Sequence, residues 1–521
     1  MATPSQSRPL INPWLIAATV MLSTILEVLD SSIVNVSLPH IAGSLAATID
    51  QSTWVLTSYL VANAIILPIT GWLANYFGRK RLLMVAVGGF TVSSMLCGLA
   101  PTLPFLVLFR VLQGAFGGGL QPISQAVLLE TFPPEKRGQA MAVWGMGIVV
   151  APILGPMLGG YLTDTLSWRW VFFINLPIGI IAMVMTYLFI FDPHYIRRLS
   201  NKVDVWGLGM LAVGIAALQI ILDKGQEADW FGSHLIVTLA AVAAIGLVAF
   251  VIRELTAEHP IVDLRVFKNR TYSTGVLLMT VLGFVLYGSL VLLPLFLQEL
   301  LGYTAFQAGL WTGARGIGSL IFMPLCGILL GRRWSTRGLL MAGFMVGSLA
   351  LFVLSSFNLA ITPWDVFWQQ ILQGSGLAFI FVPLTTATMD PIPNSEMGNA
   401  TSLFNLMRNV GGSVGIAVTD FLVTQREQFH QQRLGSHLTA SSSSVQRTLA
   451  TFKAALMARG EDAYTAAKQA LAMLYATLHQ QAALLSYRDE FYLLAILFLV
   501  ASPLIWLMRK PRADGRRVAM H

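Results

Sequence analysis

Two acidic residues, Glu27 and Asp30, interrupt the first long apolar stretch of the sequence. They are three residues apart, so in a helix both side chains lie on one face. A carboxyl group that is held away from water, near a second carboxyl group and an arginine, can bind and release a proton. The pair therefore predicts a proton-exchange site. The alternative for each residue is a carboxylate locked in a structural ion pair.

Arg110 lies inside another apolar stretch. A charged side chain at the centre of a membrane helix costs about 2.5–3.5 kcal/mol unless it is paired or hydrated. Gln113, Gln121 and Gln125 follow it at helical spacing and form one polar stripe, which must face a bundle interior or a cavity. We therefore expect Arg110 and the three glutamines to line a cavity. The alternative is an arginine that only hydrogen-bonds backbone carbonyls.

The chain that must position these residues has the composition of a membrane protein. Of its 521 residues, 55% are hydrophobic and only 11% are charged, whereas about a quarter of the residues of a soluble protein are charged. Its apolar runs are long enough to cross a hydrocarbon core of about 30 Å as helices. We predict an all-α polytopic membrane protein with fourteen spans, at 14–36, 54–74, 82–100, 104–127, 138–162, 170–191, 205–223, 233–252, 272–299, 305–330, 338–357, 364–389, 398–422 and 487–508.

The basic residues predict how this chain is oriented. Most lysines and arginines of the short loops, such as those at 79–81, fall on one side, and only Arg169 and Lys224 lie in short loops opposite. The positive-inside rule places the basic side and both termini in the cytoplasm. The net charge of +8 therefore reflects topology and not nucleic-acid binding. Cys97 and Cys326 lie inside predicted spans, where cysteine behaves as a small apolar residue and not as a disulfide or metal ligand.

Enzymatic chemistry has no support in the sequence. We recognise no nucleotide-binding loop, metal-ligand cluster or nucleophile constellation. The glycines at 117–119 lie in a predicted span and lack the strand-loop-helix context of a phosphate loop. We expect no enzyme, no metal and no cofactor.

The sequence repeats itself weakly at an offset of 260 residues. The tripeptide LQG at 112–114 recurs at 372–374, and Gly155 is matched by Gly415. Duplicated six-helix bundles are a common transporter plan, with the substrate site between them near the middle of the membrane. We predict bundles at 1–200 and 261–521, with two inserted transmembrane helices at 201–260.

The second bundle has its own polar residues within predicted spans. Gln370 stands where the repeat would place Arg110, so the two halves differ in charge. The other candidates are Arg315, Gln373, Asn405, Arg408 and Asn409. Arg408, Asn405 and Asn409 share a helix face, for which lining of the central cavity and a purely structural hydrogen-bond cluster are equal alternatives. Arg315 and Gln373 are further candidates for the substrate cavity.

Glycines mark two further motifs. Residues 71–81, GWLANYFGRKR, join the second and third spans, and Gly71, Gly78 and Arg79 are candidates for gating and helix packing. Gly155 and Gly159 form a face of small residues on the fifth span that permits close helix contact, and Pro156 between them permits bending. A topogenic basic loop and simple packing are the respective alternatives.

These motifs resemble those of the major facilitator superfamily. The resemblance rests on the 71–81 loop, on residues 106–114 (LVLFRVLQG), whose arginine in the family is associated with proton coupling, and on residues 151–160 (APILGPMLGG), a motif of antiporters. Asn75 departs from the family pattern, which usually has aspartate at this position. Residues 27–39 (EVLDSSIVNVSLP) resemble the first-helix signature of the fourteen-helix drug:proton antiporters, in which Asp30 matches the pattern and Glu27 is less typical.

Over its whole length the chain looks most like the EmrB-type multidrug exporters. The resemblance implies the major facilitator fold and a proton-driven antiporter of hydrophobic or amphipathic drugs in the bacterial inner membrane. It implies the proton gradient as energy source, with proton coupling by Asp30 and Arg110. Because Glu27 is less typical of the family, we expect it instead to shape a preference for cations. The resemblance also implies two partners, an EmrA-type periplasmic adaptor and a TolC-type outer-membrane channel. A dedicated exporter of one metabolite, siderophore or amino acid on the same scaffold remains the alternative.

Residues 424–486 are too polar to cross the membrane, and the topology places them in the periplasm. Apolar residues at helical spacing predict one amphipathic helix around 449–456 and a second after Gly460. The apolar stripes must be buried against something. Packing on the transporter itself or the membrane interface is one interpretation, and docking of the adaptor is the other.

Overall fold

A computed structural model describes residues 12–192, 204–258, 260–332, 334–439 and 441–509. These residues form nineteen α-helices, joined by short loops and a few 3-10 turns, and contain no β-strand. The helices of the first half are α1 (Pro13–Ser44), α2 (Ile49–Ser52), α3 (Trp54–Phe77), α4 (Arg79–Leu99), α5 (Leu103–Gly117), α6 (Leu120–Thr131), α7 (Pro134–Thr165), α8 (Trp170–Phe173) and α9 (Asn175–Phe189).

Two helices follow and connect the first half to the second. They are α10 (Val205–Lys224) and α11 (His234–Thr256). The helices of the second half are α12 (Arg270–Glu299), α13 (Ala305–Thr312), α14 (Ala314–Gly331), α15 (Thr336–Ser355), α16 (Pro363–Met389), α17 (Met397–Ser436), α18 (Ser443–Met457) and α19 (Ala463–Ala501). We call the end of the bundle that holds Arg79 the basic end and the other the opposite end.

The all-helical membrane fold is confirmed. Among the described residues, twelve helical segments are long and apolar enough to span a bilayer, and there are thirteen if the two bent parts of α7 are taken as one span. The remaining predicted span, 398–422, falls within α17, which does not meet that test. The count of fourteen is therefore not confirmed. Some of the basic residues that the topology places in the cytoplasm, those at 197–202 and in the C-terminal tail beyond Arg509, lie outside the described residues.

The two halves pack against each other along α3, α6 and α7 on one side and α14, α16 and α17 on the other. Near the basic end, a Cβ atom on Gly71 would lie 2.5 Å from the backbone nitrogen of Asn399, so α3 and α17 are in direct backbone contact. Further into the bundle, the rings of Trp144 and Phe381 stack with their centroids 6.0 Å apart. An apolar core runs continuously through both halves.

The polar segment 424–486 is built differently from the prediction. α17 has 40 residues and α19 has 39, so at 1.5 Å per residue each is about 60 Å long, roughly twice the hydrocarbon thickness. α18 contains the first predicted amphipathic helix, but the second is the beginning of α19 and runs unbroken into the last span. Side-chain pairs such as His430–Asp489, 2.8 Å apart, join the two long helices.

Candidate functional site

Asp30 of α1 and Arg110 of α5 form an ion pair inside the first half. The Arg110 Nη1 atom is 2.6 Å from Asp30 Oδ2, and both side chains are completely buried. The second oxygen, Oδ1, accepts hydrogen bonds from Gln113 Nε2 at 2.9 Å and from Asn175 Nδ2 at 2.7 Å. The carboxylate is thus neutralised by one cation and oriented by two amides. Loss of either charge is costly, because the other charge is then buried without an ionic partner.

Arg110 is held by α3 as well as by Asp30. Its Nε atom donates to the Val55 carbonyl at 3.0 Å, and Nη1 also donates to Gln113 Oε1 at 2.8 Å. The Tyr59 ring covers the guanidinium, with its centroid 4.1 Å from the central carbon. The guanidinium therefore has hydrogen-bond acceptors in addition to Asp30. The guanidinium can therefore stay in place when the carboxylate is neutral.

Sequence reasoning predicted Asp30, Arg110 and Gln113 for this region but did not select Asn175. Asn175 Nδ2 also donates to Ser94 Oγ at 3.0 Å, which fixes the amide from α4. The available signal was an amide in the otherwise apolar stretch 170–191. Nothing in the spacing along the chain links Asn175 to Asp30, because the two residues meet only when α9 packs beside α1.

Glu27 lies on the neighbouring turn of α1 but belongs to a different cluster. Its Oε1 atom accepts from Asn63 Nδ2 at 2.9 Å, while Oε2 is buried without a hydrogen-bond partner. Arg408 of the second half is close enough to attract it electrostatically. The two predicted acids therefore have different neighbours. Asp30 is paired inside one half, whereas Glu27 faces the boundary between the halves.

The predicted glutamine stripe divides between these clusters. Gln113 contacts Asp30, whereas Gln121 accepts a hydrogen bond from Arg408, and Gln125 Oε1 accepts from Asn405 Nδ2 at 2.5 Å. The division arises because the helix is interrupted between α5 and α6 at residues 118–119, which shifts the faces of the following turns. Gln121 and Gln125 thus bridge the first half to α17.

Arg408 and Asn405 form the second-half side of this bridge. Both side chains are buried, and the Nε and Nη1 atoms of Arg408 lack hydrogen-bond partners. The cluster consequently presents an unpartnered carboxylate oxygen on α1 and unpartnered guanidinium nitrogens on α17.

Arg315 lies in a third cluster, within the second half. Its Nε atom donates to Gln370 Oε1 at 3.0 Å and its Nη2 atom to Gln373 Oε1 at 3.1 Å, while Gln373 Nε2 reaches Ser289 Oγ at 3.1 Å. No acidic side chain in the described part of the chain pairs with Arg315. Its hydrogen bonds are made within α12, α14 and α16, so Arg315 and Gln373 do not join Arg408 and Asn405.

Comparison with known proteins identifies the chain's relatives. The Major Facilitator Superfamily sequence family matches residues 20–416, well over half of the chain. The chain belongs to the major facilitator superfamily.

Among its relatives, the "Multidrug export protein EmrB" of Haemophilus influenzae is 44% identical over 426 residues, covering 81% of this chain and 83% of that protein. The "Fatty acid resistance protein FarB" of Neisseria gonorrhoeae is 40% identical over 495 residues, covering 95% and 96%. The fold is similar to that of the proton:xylose symporter XylE, with a TM-score of 0.61 at 14% identity and coverage of 96% of each chain. The resemblance to EmrB-type proteins predicted from the motifs is confirmed.

The superfamily's loop motif lies at the basic end. Gly78 has φ = 89°, a left-handed conformation that favours glycine, and ends α3 where α4 begins. Arg79 forms a buried ion pair with Glu130 at the end of α6, and the Lys80 backbone N–H donates to Asp192 at 2.9 Å. The Glu130 partner was missed by sequence reasoning. Gly71, about two turns before Gly78 on α3, contacts the backbone of α17, so this motif adjoins the contact between the halves.

The glycines of the superfamily's antiporter motif bring α7 against α1. A Cβ atom on Gly155 would lie 2.7 Å from Ser32 Cβ, and one on Gly159 would lie 2.7 Å from the Ile33 carbonyl oxygen. Any larger side chain would push the helices apart. The side chain of Pro156 lies outside the described residues. The contacted residues immediately follow Asp30, so this packing holds the carboxylate-bearing turn of α1.

Proposed function

We propose that this protein exports hydrophobic and amphipathic compounds in exchange for protons. The observation that carries the proposal is the buried Asp30–Arg110 pair, 2.6 Å apart, in a chain related to EmrB and FarB. The names of these relatives describe multidrug export and fatty acid resistance. The inner membrane, with both termini in the cytoplasm, is the proposed location, because the basic residues of the short loops fall mostly on one side.

Asp30 is the proposed proton carrier. When it accepts a proton, the charge that holds it to Arg110 disappears, but the guanidinium keeps its bonds to the Val55 carbonyl and Gln113. Release of the proton restores the ion pair. Movement of one elementary charge across the membrane down the electrical potential releases about 2.3 kcal/mol of free energy per 100 mV. The gradient thus supplies energy through a change in one buried pair, and no cofactor is needed.

The boundary cluster of Glu27, Gln121 and Arg408 is the proposed recognition site for the polar part of a substrate. It offers one unpartnered carboxylate oxygen and two unpartnered guanidinium nitrogens. Two aromatic rings lie beside it. Trp144 donates to the hydroxyl of Thr24, which is one turn before Glu27 on α1, and the Trp144 ring stacks on Phe381. An amphipathic molecule could place its polar group on the charges and its apolar part on the rings.

A dedicated exporter of a single compound is the second candidate. The name FarB, which refers to one substrate class, belongs to a relative that matches 95% of this chain and favours keeping this candidate. The two candidates differ in what they transport and not in how they are driven. A panel that contains lipophilic cations, neutral drugs and fatty acids distinguishes them, because a dedicated exporter should move one class alone.

The proposed partners are an EmrA-type adaptor and a TolC-type channel. Support comes from the extension beyond the membrane spans, where α18 packs on α19 and where Ala466 and Ala470 of α19 are buried. On another face of α19, Tyr464 and Leu471 are 69% and 60% exposed. The apolar stripe predicted for this helix is therefore only partly covered by its own chain, and the exposed part is available to an adaptor.

The adaptor proposal is tested by co-purification. Deletion of residues 441–480, or the milder double variant Tyr464→Ser with Leu471→Ser, should abolish adaptor capture and drug resistance in cells while transport by reconstituted protein persists. Arg459→Ser, an exposed change in the same extension, is the control and should retain capture. Adaptor binding that survives the deletion contradicts the proposal.

The transport proposal is tested in proteoliposomes with an imposed pH gradient. Purified protein should exchange a fluorescent lipophilic cation for protons, and a protonophore should abolish the exchange. Asp30→Asn protein, checked for equal incorporation, should be inactive in the same assay while still binding the dye. Exchange that is insensitive to the protonophore, or no exchange of any panel compound, would reject proton-driven export.

A further inference from the structure

The last turn of α10 is hydrogen-bonded to the first turn of α3 at the opposite end of the bundle. The Thr57 hydroxyl donates to the Asp223 carboxylate, and Lys224 donates to the Thr53 hydroxyl. Lys224 also pairs with Glu227 at 2.7 Å. Two neighbouring charged residues of one inserted helix thus engage two hydroxyls that are four residues apart on α3. The two contacts together fix the position of the first turn of α3 relative to the last turn of α10.

The start of α3 receives side-chain contacts from α10. Threonine at the N-cap position commonly accepts a hydrogen bond from the helix backbone, which stabilises the first turn. The Thr53 side chain makes no such capping bond. The first turn of α3 is attached to α10 through the Thr53 and Thr57 hydroxyls.

Val55 lies between Thr53 and Thr57 in the sequence, and its carbonyl oxygen accepts the 3.0 Å hydrogen bond from Arg110 Nε. Tyr59, one turn further along α3, covers the face of the same guanidinium. The beginning of α3 therefore supplies a backbone acceptor and the nearer of two aromatic rings to Arg110, the other ring being that of Phe172 on α8, 5.8 Å away. A displacement of this turn changes where the guanidinium lies relative to the Asp30 carboxylate.

The same part of α10 is attached to the second half. Gln219, one turn before Asp223, donates to Ser413 Oγ of α17 at 3.1 Å, and the Ser413 hydroxyl donates back at 3.3 Å. Beyond the helix end, the Trp230 ring meets Phe421 of α17 edge to face, with centroids 6.1 Å apart. The end of α10 therefore bridges α3 of the first half and α17 of the second.

From these contacts we propose that Asp223 and Lys224 position Arg110 on Asp30 through the first turn of α3. The inserted helices then set the pH range over which the pair exchanges its proton, and they link that range to the position of the second half. This inference rests on the proposed proton-driven export. Besides Arg110, the titratable groups that face Asp30 are Tyr59 from α3, Cys97 from α4 and Glu27 from α1 itself.

The test is the pH profile of dye–proton exchange in proteoliposomes. Asp223→Ala and Thr57→Val each remove the hydrogen bond between α10 and α3. Both should move the midpoint of the profile upward by about half a pH unit, since the cation is less well placed to favour the deprotonated carboxylate. Thr57→Val keeps the volume and branching of the side chain, so it carries the test if Asp223→Ala is not recovered as folded protein.

Two further variants separate positioning from general damage. Asp223→Asn keeps an oxygen that can accept from Thr57 and should restore a profile close to that of the unmodified protein. Asp204→Ala breaks the 2.8 Å pair with Arg253 at the other end of the inserted helices and should leave the midpoint unchanged even if the yield falls. An unchanged midpoint in well-folded Thr57→Val or Asp223→Ala protein overturns the inference. Absence of any exchange by the unmodified protein would instead reject the proposed function.

Discussion

The two halves of the protein each bury an arginine at a contact between repeat-related helices, but they compensate its charge differently. In the first half Arg110 pairs with Asp30 at 2.6 Å. In the second half Arg315 binds the amide oxygens of Gln370 and Gln373 at 3.0 and 3.1 Å. The first arrangement can change its net charge by taking up a proton. The second contains no carboxylate partner in the described residues and keeps its charge.

The repeat explains how both arrangements arise from one scaffold. The offset of 260 residues places Arg315 at the position of Val55 and Gln370 at the position of Arg110. In one half the cation on the later helix reaches the backbone of the earlier one, and in the other half the cation is on the earlier helix and reaches the later one. The repeat-related helix pairs α3–α5 and α14–α16 are in contact in both halves, but the arginine is on α5 in the first half and on α14 in the second. We infer that the repeat specifies where a polar contact forms, and individual side chains specify whether it can titrate.

The strongest test of this difference is Asp30→Asn. The change leaves Arg110 buried without a counter-ion, and since arginine cannot lose its proton, we expect a destabilisation of about 3–5 kcal/mol together with complete loss of gradient-driven efflux. Thermal unfolding and dye exchange measure the two effects. Normal proton-coupled exchange by folded Asp30→Asn protein would remove the distinction between the halves.

Arg110→Ala should have a smaller effect on stability than Asp30→Asn. The remaining carboxylate can become neutral by binding a proton, which avoids an uncompensated buried charge. Transport should slow, and its optimum should move to higher pH, because the neutral carboxyl group then releases its proton less readily. The measurement is the exchange rate across a series of external pH values. A slower pump with the same pH optimum would mean that Arg110 is structural.

Glu27→Gln examines a carboxylate that lacks the ion pair of Asp30. Because Glu27 faces the boundary between the halves and keeps one oxygen unpartnered, we expect weaker transport of cations, with neutral substrates much less affected. The loss expected is about tenfold, equivalent to about 1.4 kcal/mol of binding free energy. Competition assays with paired cationic and neutral compounds measure it. Equal losses for both classes would argue against a role in selectivity.

Arg315→Gln should have the smallest effect. The change loses hydrogen bonds worth about 1–3 kcal/mol in total but also removes a charge that costs about 2.5–3.5 kcal/mol in a membrane helix. The two contributions nearly cancel. We expect near-normal stability and an unchanged pH optimum, measured in the same assays as for Arg110→Ala. An upward shift as large as that of Arg110→Ala would show that both halves take part in proton coupling.

The sequence alone determined the membrane environment, the helical fold and the family. Apolar runs of about 20 residues can satisfy their backbone groups in lipid only as helices, and the glycine and arginine motifs are local in sequence. The same reasoning selected Asp30, Arg110 and Gln113, because polar residues are costly in such runs. These three residues do come together.

Partner choice was decided by the tertiary structure. Glu27 and Asp30 share a helix face in the sequence pattern, yet α3 supplies Asn63 to one and α9 supplies Asn175 to the other. The glutamine stripe was expected to be continuous, but the break before Gln121 directs its later members to α17. Helical periodicity gives the relative direction of side chains on one uninterrupted helix. It contains no information about the neighbour that a face meets, which depends on how all the helices pack.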